Sequence, residues 1–254
     1  MKIAVCVKQV PEAGVSKRID PQTQRLDRSG EAGLNAFDAN AVEEALRIKE
    51  GAGDGEIVLV SLGPPRALEA MRKALAMGAD RALLVSDDAA AGSDLVATSY
   101  VLAAVLEREQ PDLVLFGQQA SDSDGAVLWA AVAERLRRPL VSQAAELKVE
   151  GGKVQVKRQT EFGYDRIEAP LPAVVAVSDA INEPRYPSLK GIMGAKSKPQ
   201  ETVSLADLGV SNGGAKTTVI GLNPPPPRGD SQKIEDDGSA AEQLVAFLQE
   251  KKLL

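Results

Sequence analysis

The chain has 254 residues, 44% of them hydrophobic, enough to bury one substantial core with an appendage or two small domains. Aromatic residues make up only 3%, so the core rests on Ala, Val, Leu and Ile, and a net charge of -6 with a pI near 5.0 argues against a general nucleic-acid binder. Histidine is absent and cysteine occurs once, at Cys6, which excludes Ser-His-Asp and Cys-His catalysis, the usual zinc sites and an internal disulfide, and shifts the expectation from catalysis towards binding or electron transfer.

No hydrophobic signal or membrane span is visible at the start, so a cytoplasmic protein is expected. KIAVCV at residues 2–7 suits a central parallel strand, with Cys6 as a small core residue rather than a reactive thiol. KQVPEAG follows it, and this is not the glycine fingerprint of a dinucleotide fold. Residues 11–34 are polar, contain Pro11, Pro21 and three glycines, and read as a long excursion or hairpin; loops of this length are usually functional or mobile. NAFDANAVEEALRIKE at residues 35–50 predicts a helix, capped by Asn35 or Asp38 and ended by GAGDG. Phe37, beside its start, is either core or placed over a flat ligand.

Strand IVLVSL from Ile57, a helix over 66–77 closed by Gly78, strand ALLVS from Ala82 and a helix over 94–108 continue the alternation. Strands and helices alternating over residues 1–140 predict a parallel sheet covered on both faces. LVLF at residues 113–116 is a further buried strand, followed by a polar loop and a helix over 126–136. In open α/β sheets ligands bind beyond the carboxyl ends of the strands, which is where residues 117–125 fall, and the helix behind them offers unpaired N–H groups to a phosphate. The alternative is that Ser121, Asp122, Ser123 and Asp124 simply cap that helix. Asp122 and Asp124 oppose a phosphate unless they point away or bind backbone amides.

From Leu147, LKVEGGKVQVKRQT predicts a hairpin around Gly151 and Gly152, and LPAVVAV from Leu171 another buried strand. Residues 182–199 read as irregular and basic; Arg185, Lys190, Lys196 and Lys198 form a solvated face or a patch that steers an acidic partner. GIMGAKSK from Gly191 has the wrong glycine spacing for a phosphate-binding P-loop. Residues 211–238, with prolines at 224–227, read as a stiff linker to a last helix over 239–251, whose Leu244, Val245 and Leu248 share one side. That helix packs on a neighbouring subunit or folds back. The expected division is a nucleotide-binding α/β domain over 1–210 and a linker with a partner-contacting helix over 211–254.

Taken in order, CVKQVPE, NAFDANAVEEALRIKE, RKALAMGADRALLV, FGQQASDSDG, LPAVVAV and INEPRYPSLKGIMGAKSK resemble the beta subunit of the electron transfer flavoprotein over nearly the whole chain. The resemblance implies a Rossmann-like parallel sheet with helices on both faces, plus a β-hairpin and an extended C-terminal arm. It also implies a heterodimer in which the alpha subunit holds most of an FAD. Electrons pass from flavin-dependent dehydrogenases, such as acyl-CoA dehydrogenases, to a membrane quinone reductase, with no substrate turnover by the beta subunit itself. Most members hold AMP in the beta subunit; bifurcating members hold a second FAD there, which accepts hydride from NADH.

By position, the family's adenine-nucleotide residues fall on Cys6, on Asn35, Ala36 and Asp38, on Leu62, and on the loop from Asp122 through Ser123, Asp124, Gly125, Ala126, Val127 and Leu128 to Ala131. Phe37 matches the residue that approaches the flavin held by alpha. Leu189 matches the leucine of the loop that docks dehydrogenases, with Arg185 and Lys190 beside it. Many relatives read Asp-Thr-Ala-Gln-Val-Gly where this chain has Asp124-Gly125-Ala126-Val127-Leu128-Trp129, so hydroxyl and amide donors to a phosphate are lost and Trp129 either stacks on a base or fills phosphate space. TEFGYDRIEAP also replaces the usual acidic, glycine-paired signature before LPAVV. Two other readings are an ATP pyrophosphatase and a universal-stress-type nucleotide-binding module. KQVPEAG is not the phosphate loop the first needs, and the C-terminal 100 residues or so exceed what the second needs.

Overall fold

The computed structural model describes residues 1–211, 214–223, 225–227 and 233–254. Its centre is β1 (Lys2–Cys6), paired in parallel with β6 (Glu56–Leu62) on one side and β8 (Leu113–Gly117) on the other. Successive side chains of a strand point to opposite faces, so an apolar run such as IAVC feeds two cores at once. Ile3 and Val5 pack with Val42, Leu46, Met71 and Leu75, from α1 (Ala36–Ala52) and α2 (Ala67–Met77). Ala4 and Cys6 pack on the other face with Val101, Leu106 and Val132, from α3 (Leu95–Glu109) and α4 (Leu128–Leu136).

Four short strands lie in the excursion before α1: β2 (Gln9–Pro11), β3 (Ile19–Asp20), β4 (Arg25–Leu26) and β5 (Ala32–Leu34), with β2 paired to β5 and β3 to β4. The main sheet continues through β7 (Arg81–Val85), β9 (Leu140–Glu150), β10 (Lys153–Thr160), β11 (Gly163–Pro170), β12 (Ala173–Val177) and β13 (Gln200–Val203). Its order is β11-β10-β9-β12-β8-β1-β6-β7-β13. The expected parallel sheet with helices on both faces is present. The chain steps outward from β1 through β6 to β7, then crosses back to β8 on the other side of β1, which places the switch point of the sheet between β1 and β8.

The hairpin turn falls at Gly151 and Gly152, both at positive φ (59° and 74°), as glycines allow in a tight two-residue loop. The hairpin itself is larger than expected. β9 begins at Leu140, where its first residues pair in parallel with β12 before it turns to pair antiparallel with β10, and β11 adds a third antiparallel strand. GYDRIEAP is mostly exposed along an edge, so it lacks the apolar alternation that marks a half-buried strand. QETV of β13 escaped notice for the same reason, at the opposite edge.

Residues 182–199 are not wholly irregular, because α5 (Leu189–Ala195) lies within them, capped by Ser188, whose hydroxyl accepts from the N–H of Gly191 at 3.0 Å. A Cβ at Gly191 would collide with the carbonyl of Ala76, so this glycine lets α5 lie on the end of α2. Neither expected cap acts on α1, since Asp38 lies inside the helix and Asn35, at the cap position, directs its side chain elsewhere. Asp94 caps α3 by accepting from the N–H of Ala97, and its second oxygen accepts from the N–H groups of Lys216 and Thr217.

The chain divides into two units, Met1–Thr218 and Val219–Leu254. The second contains α6 (Ala240–Glu250), which has no buried residue and leaves Leu244 and Val245 about half exposed. The proline run at 224–227 lies partly outside the described residues. Among the described residues no helix is long and apolar enough to cross a membrane.

Candidate nucleotide and docking sites

A cavity of about 760 Å³ opens at the carboxyl ends of β1, β6, β7 and β8, beside the switch point. Of the residues expected to hold a nucleotide, Cys6, Asn35, Asp38, Leu62, Ser123, Gly125 and Leu128 line it together. Ala36, Asp122, Asp124, Ala126 and Val127 do not. Part of the wall is apolar, with Leu62, Phe116, Leu128 and Trp129 continuing the core under α3 and α4. The rest is polar and carries both signs of charge, through Lys8, Arg25 and Arg28 and through Asp38, Asp87 and Asp88, with Asn35 and Gln119 among them. An apolar wall with a few convergent polar groups suits a ligand that has a flat ring at one end and a charge at the other.

The loop of residues 117–127 owes its shape to contacts with distant segments. Gly117 ends β8 against the start of α1, and a Cβ there would lie 2.5 Å from the carbonyl carbon of Phe37 and 2.6 Å from Oδ1 of Asp38. Asn35 donates from Nδ2 to the carbonyl of Gln119 and accepts on Oδ1 from the N–H of Ser121, at 2.8 and 3.2 Å. Trp129 donates from Nε1 to the carbonyl of Gln118 at 3.0 Å, which pins the indole along the cavity wall.

The capping alternative for this loop does not hold: α4 starts at Leu128, its cap position is Val127, and no side chain caps it. Asp122 is instead held by two cations. Lys8 Nζ donates to it at 2.8 Å, Arg28 forms a second ion pair, and the carboxylate is fully enclosed. Lys8 and Arg28 thus balance the Asp122 charge, while Asp124 is exposed and accepts from Gln119 Nε2 at 3.4 Å. At the start of α4 the N–H groups of Ala126, Val127 and Ala130 are taken by the carbonyls of Asp124, Gly125 and Val127, which leaves those of Leu128 and Trp129 as donors.

Asp38 lies at the floor of the cavity. Burial pushes its carboxyl up to about 7, although hydrogen bonds from Asn35 and from the N–H groups of Lys8 and Gly117 act in the opposite direction. The Cys6 thiol is also raised, first by burial and then by the neighbouring Asp38 carboxylate, so it stays protonated and behaves as the core residue expected. Sequence reasoning missed Lys8, Arg25, Arg28 and most of the segment from Ser86 to Ser93, which line the cavity. A positional signal existed for Lys8 and for Ser86, since each lies just past a strand end. None existed for the arginines.

Phe37 is half-buried at the start of α1 and is not part of the cavity wall. Leu189 is 75% exposed, which excludes a core-filling role. With Ile192 and Met193 it holds positions i, i+3 and i+4 of α5, a single outward stripe, and Tyr186 is exposed nearby in sequence. The basic cluster is not a uniform solvated face. Arg185 is clamped to Glu43 and Glu50, and Lys198 donates to the carbonyls of Leu75 and Ala79 at the end of α2. Lys190 and Lys196 are exposed. Asn182 and Asn40 exchange hydrogen bonds, and Asn182 also donates to Glu44. These contacts hold the segment before α5 against α1.

The family model described as the electron transfer flavoprotein domain matches residues 23–208. An electron transfer flavoprotein subunit beta of Mycobacterium tuberculosis is 38% identical over 263 residues, covering 99% of each chain. The caffeyl-CoA reductase-Etf complex subunit CarD of Acetobacterium woodii is 40% identical over 263 residues, covering 100% of each. A subunit beta of Thermoanaerobacterium thermosaccharolyticum is 43% identical over 208 residues, 82% of this chain and 79% of that one. The fold and the similarity along the full length agree, and the chain belongs to the electron transfer flavoprotein family, on the side of its beta subunits.

Proposed function

We propose that this chain pairs with an alpha subunit that holds most of an FAD, and that the pair carries electrons from flavin-dependent dehydrogenases of the acyl-CoA dehydrogenase type to a membrane quinone reductase. FAD supplies the redox chemistry; this chain supplies a scaffold, an adenine-nucleotide pocket and a docking surface. The observation that carries the reading is the convergence of Cys6, Asn35, Asp38, Leu62, Ser123, Gly125 and Leu128 on one cavity. AMP is the proposed occupant, with its phosphate at Ser123, Gly125 and the start of α4. The substitutions at Gly125 and Val127 remove side-chain donors worth about 0.5 to 1.5 kcal/mol each, so AMP binds more loosely than in relatives that keep them.

Phe37, outside the cavity, is the proposed contact to the flavin of the alpha subunit, and unit Val219–Leu254 is the proposed arm onto that subunit. Leu189 is the proposed docking anchor, and Lys190 steers an acidic dehydrogenase surface. Arg185 acts by holding the loop in place. A cytoplasmic location is part of the same proposal.

A second reading, with FAD in the cavity and hydride accepted from NADH, is favoured by the cavity's size. Spectra of the full chain expressed alone and with its alpha subunit test the proposal. Little flavin on the chain alone and stoichiometric flavin on the pair is the expected result. Stoichiometric FAD on the chain alone that AMP does not displace would overturn it.

A further inference from the structure

The segment between β2 and β5 lies over the carboxyl ends of the strands that form the cavity, and its Arg25, Leu26 and Arg28 are part of the cavity wall. Its two legs leave the body of the protein together. β2 pairs with β5 through Val10 and Gly33 and through Pro11 and Ala32, and the N–H of Glu12 donates to the carbonyl of Glu31 at 3.1 Å. Val10, Pro11 and Leu34 are buried at this base, whereas none of residues 12–33 is buried.

Beyond the base, the segment is attached to the loops after β6, β7 and β8. Arg66, which follows β6, donates to the carbonyls of Arg28 and Gly30. The Arg25 guanidinium lies against Gly92, which follows β7, where a Cβ would overlap it. Lys17 donates to the carbonyl of Ser121, and Arg28 pairs with Asp122, both in the loop after β8. These attachments ring the cavity, and each joins one part of the chain to another, so none depends on a ligand. Exposed polar contacts of this kind are individually weak, and a segment with no buried side chain opens locally while the core beneath it stays folded.

We infer that residues 12–33 form a lid over the cavity, hinged at the β2–β5 pair and latched by Lys17, Arg28 and Arg66, and that its opening sets the rate at which a nucleotide enters and leaves. The inference rests on the reading of the cavity as an adenine-nucleotide site. Lys17 and Arg66 are not part of the cavity wall. Weakening these two latches therefore speeds entry and exit alike and leaves the affinity unchanged.

The test compares the full chain with the double variant Lys17→Gln, Arg66→Gln. Release of radiolabelled AMP into excess unlabelled AMP gives the exit rate, calorimetry gives the affinity, and hydrogen exchange reads the amides of residues 12–33. The variant is expected to release AMP about tenfold faster, with affinity and melting temperature unchanged and with exchange across residues 12–33 accelerated. An unchanged release rate overturns the lid, as does a loss of affinity equal to the gain in release rate, which would make the segment a part of the binding wall. Failure of the parent to bind AMP or FAD overturns the nucleotide reading instead. The lid is then decided by exchange alone, and equal exchange of residues 12–33 in parent and variant overturns it.

Discussion

Leu189→Ala is expected to slow reduction of the alpha–beta pair by an acyl-CoA dehydrogenase roughly thirtyfold at subsaturating dehydrogenase, with flavin content unchanged. The figure follows from about 2 kcal/mol lost when a docking anchor is truncated and about 1.4 kcal/mol per factor of ten. The geometry favours a selective effect. Leu189 is 75% exposed, and α5 is held from beneath by Gly191 against Ala76 and from the side by the clamp of Arg185 on Glu43 and Glu50. Truncation at the exposed end of such a platform leaves the melting temperature within a degree or two of the parent, since surface substitutions usually stay within about 0.5 kcal/mol. Unchanged reduction kinetics across a range of dehydrogenase concentrations would remove Leu189 from the docking surface.

Asp38→Asn is expected to change the dependence of stability on pH. The carboxyl sits near 3.8 in the unfolded chain and is raised to about 7 in the folded one, chiefly by burial. Its favourable contribution is therefore complete below about pH 4 and lost as pH rises through 7, because only the folded state resists ionisation. Asparagine cannot ionise, so the stability of the variant relative to the parent should rise from pH 4 to pH 8 by up to about 4 kcal/mol, from about 1.4 kcal/mol per pH unit of displacement. Any lost hydrogen bond from Lys8 or Gly117 shifts the whole curve and not its slope. Denaturant unfolding of both proteins at a series of pH values provides the measurement, and parallel curves would mean that Asp38 ionises freely in the folded state.

The parallel strands were legible because IAVC, IVLV, LVLF and AVVAV are buried on both faces and leave apolar runs that flanking helices must cover. The strands at both edges, β11 and β13, were not, since an edge strand that faces water carries charge where a central one carries valine. Asn35 and Asp38 looked like caps because local sequence carries only local partners; their actual partners, Gln119, Ser121 and Lys8, come from segments the fold brings together. Cys6 and Leu62 entered the candidate site through resemblance, although their place at the carboxyl ends of β1 and β6 carried the same positional signal as Lys8 and Ser86. Arg25 and Arg28 were invisible: a polar excursion with two prolines gives no sign that it folds back over a strand end.

Quantifying the nucleotides released when the purified alpha–beta pair is denatured tests the account most directly. One FAD and one further adenine nucleotide per pair is the predicted result: AMP supports the first reading of the cavity and a second FAD the alternative. A pair that releases one FAD and no other nucleotide, and that binds none by calorimetry, would contradict the account and reduce the loop at 117–127 to a structural turn. A chain that neither binds an alpha subunit nor acquires flavin in its presence would contradict it altogether.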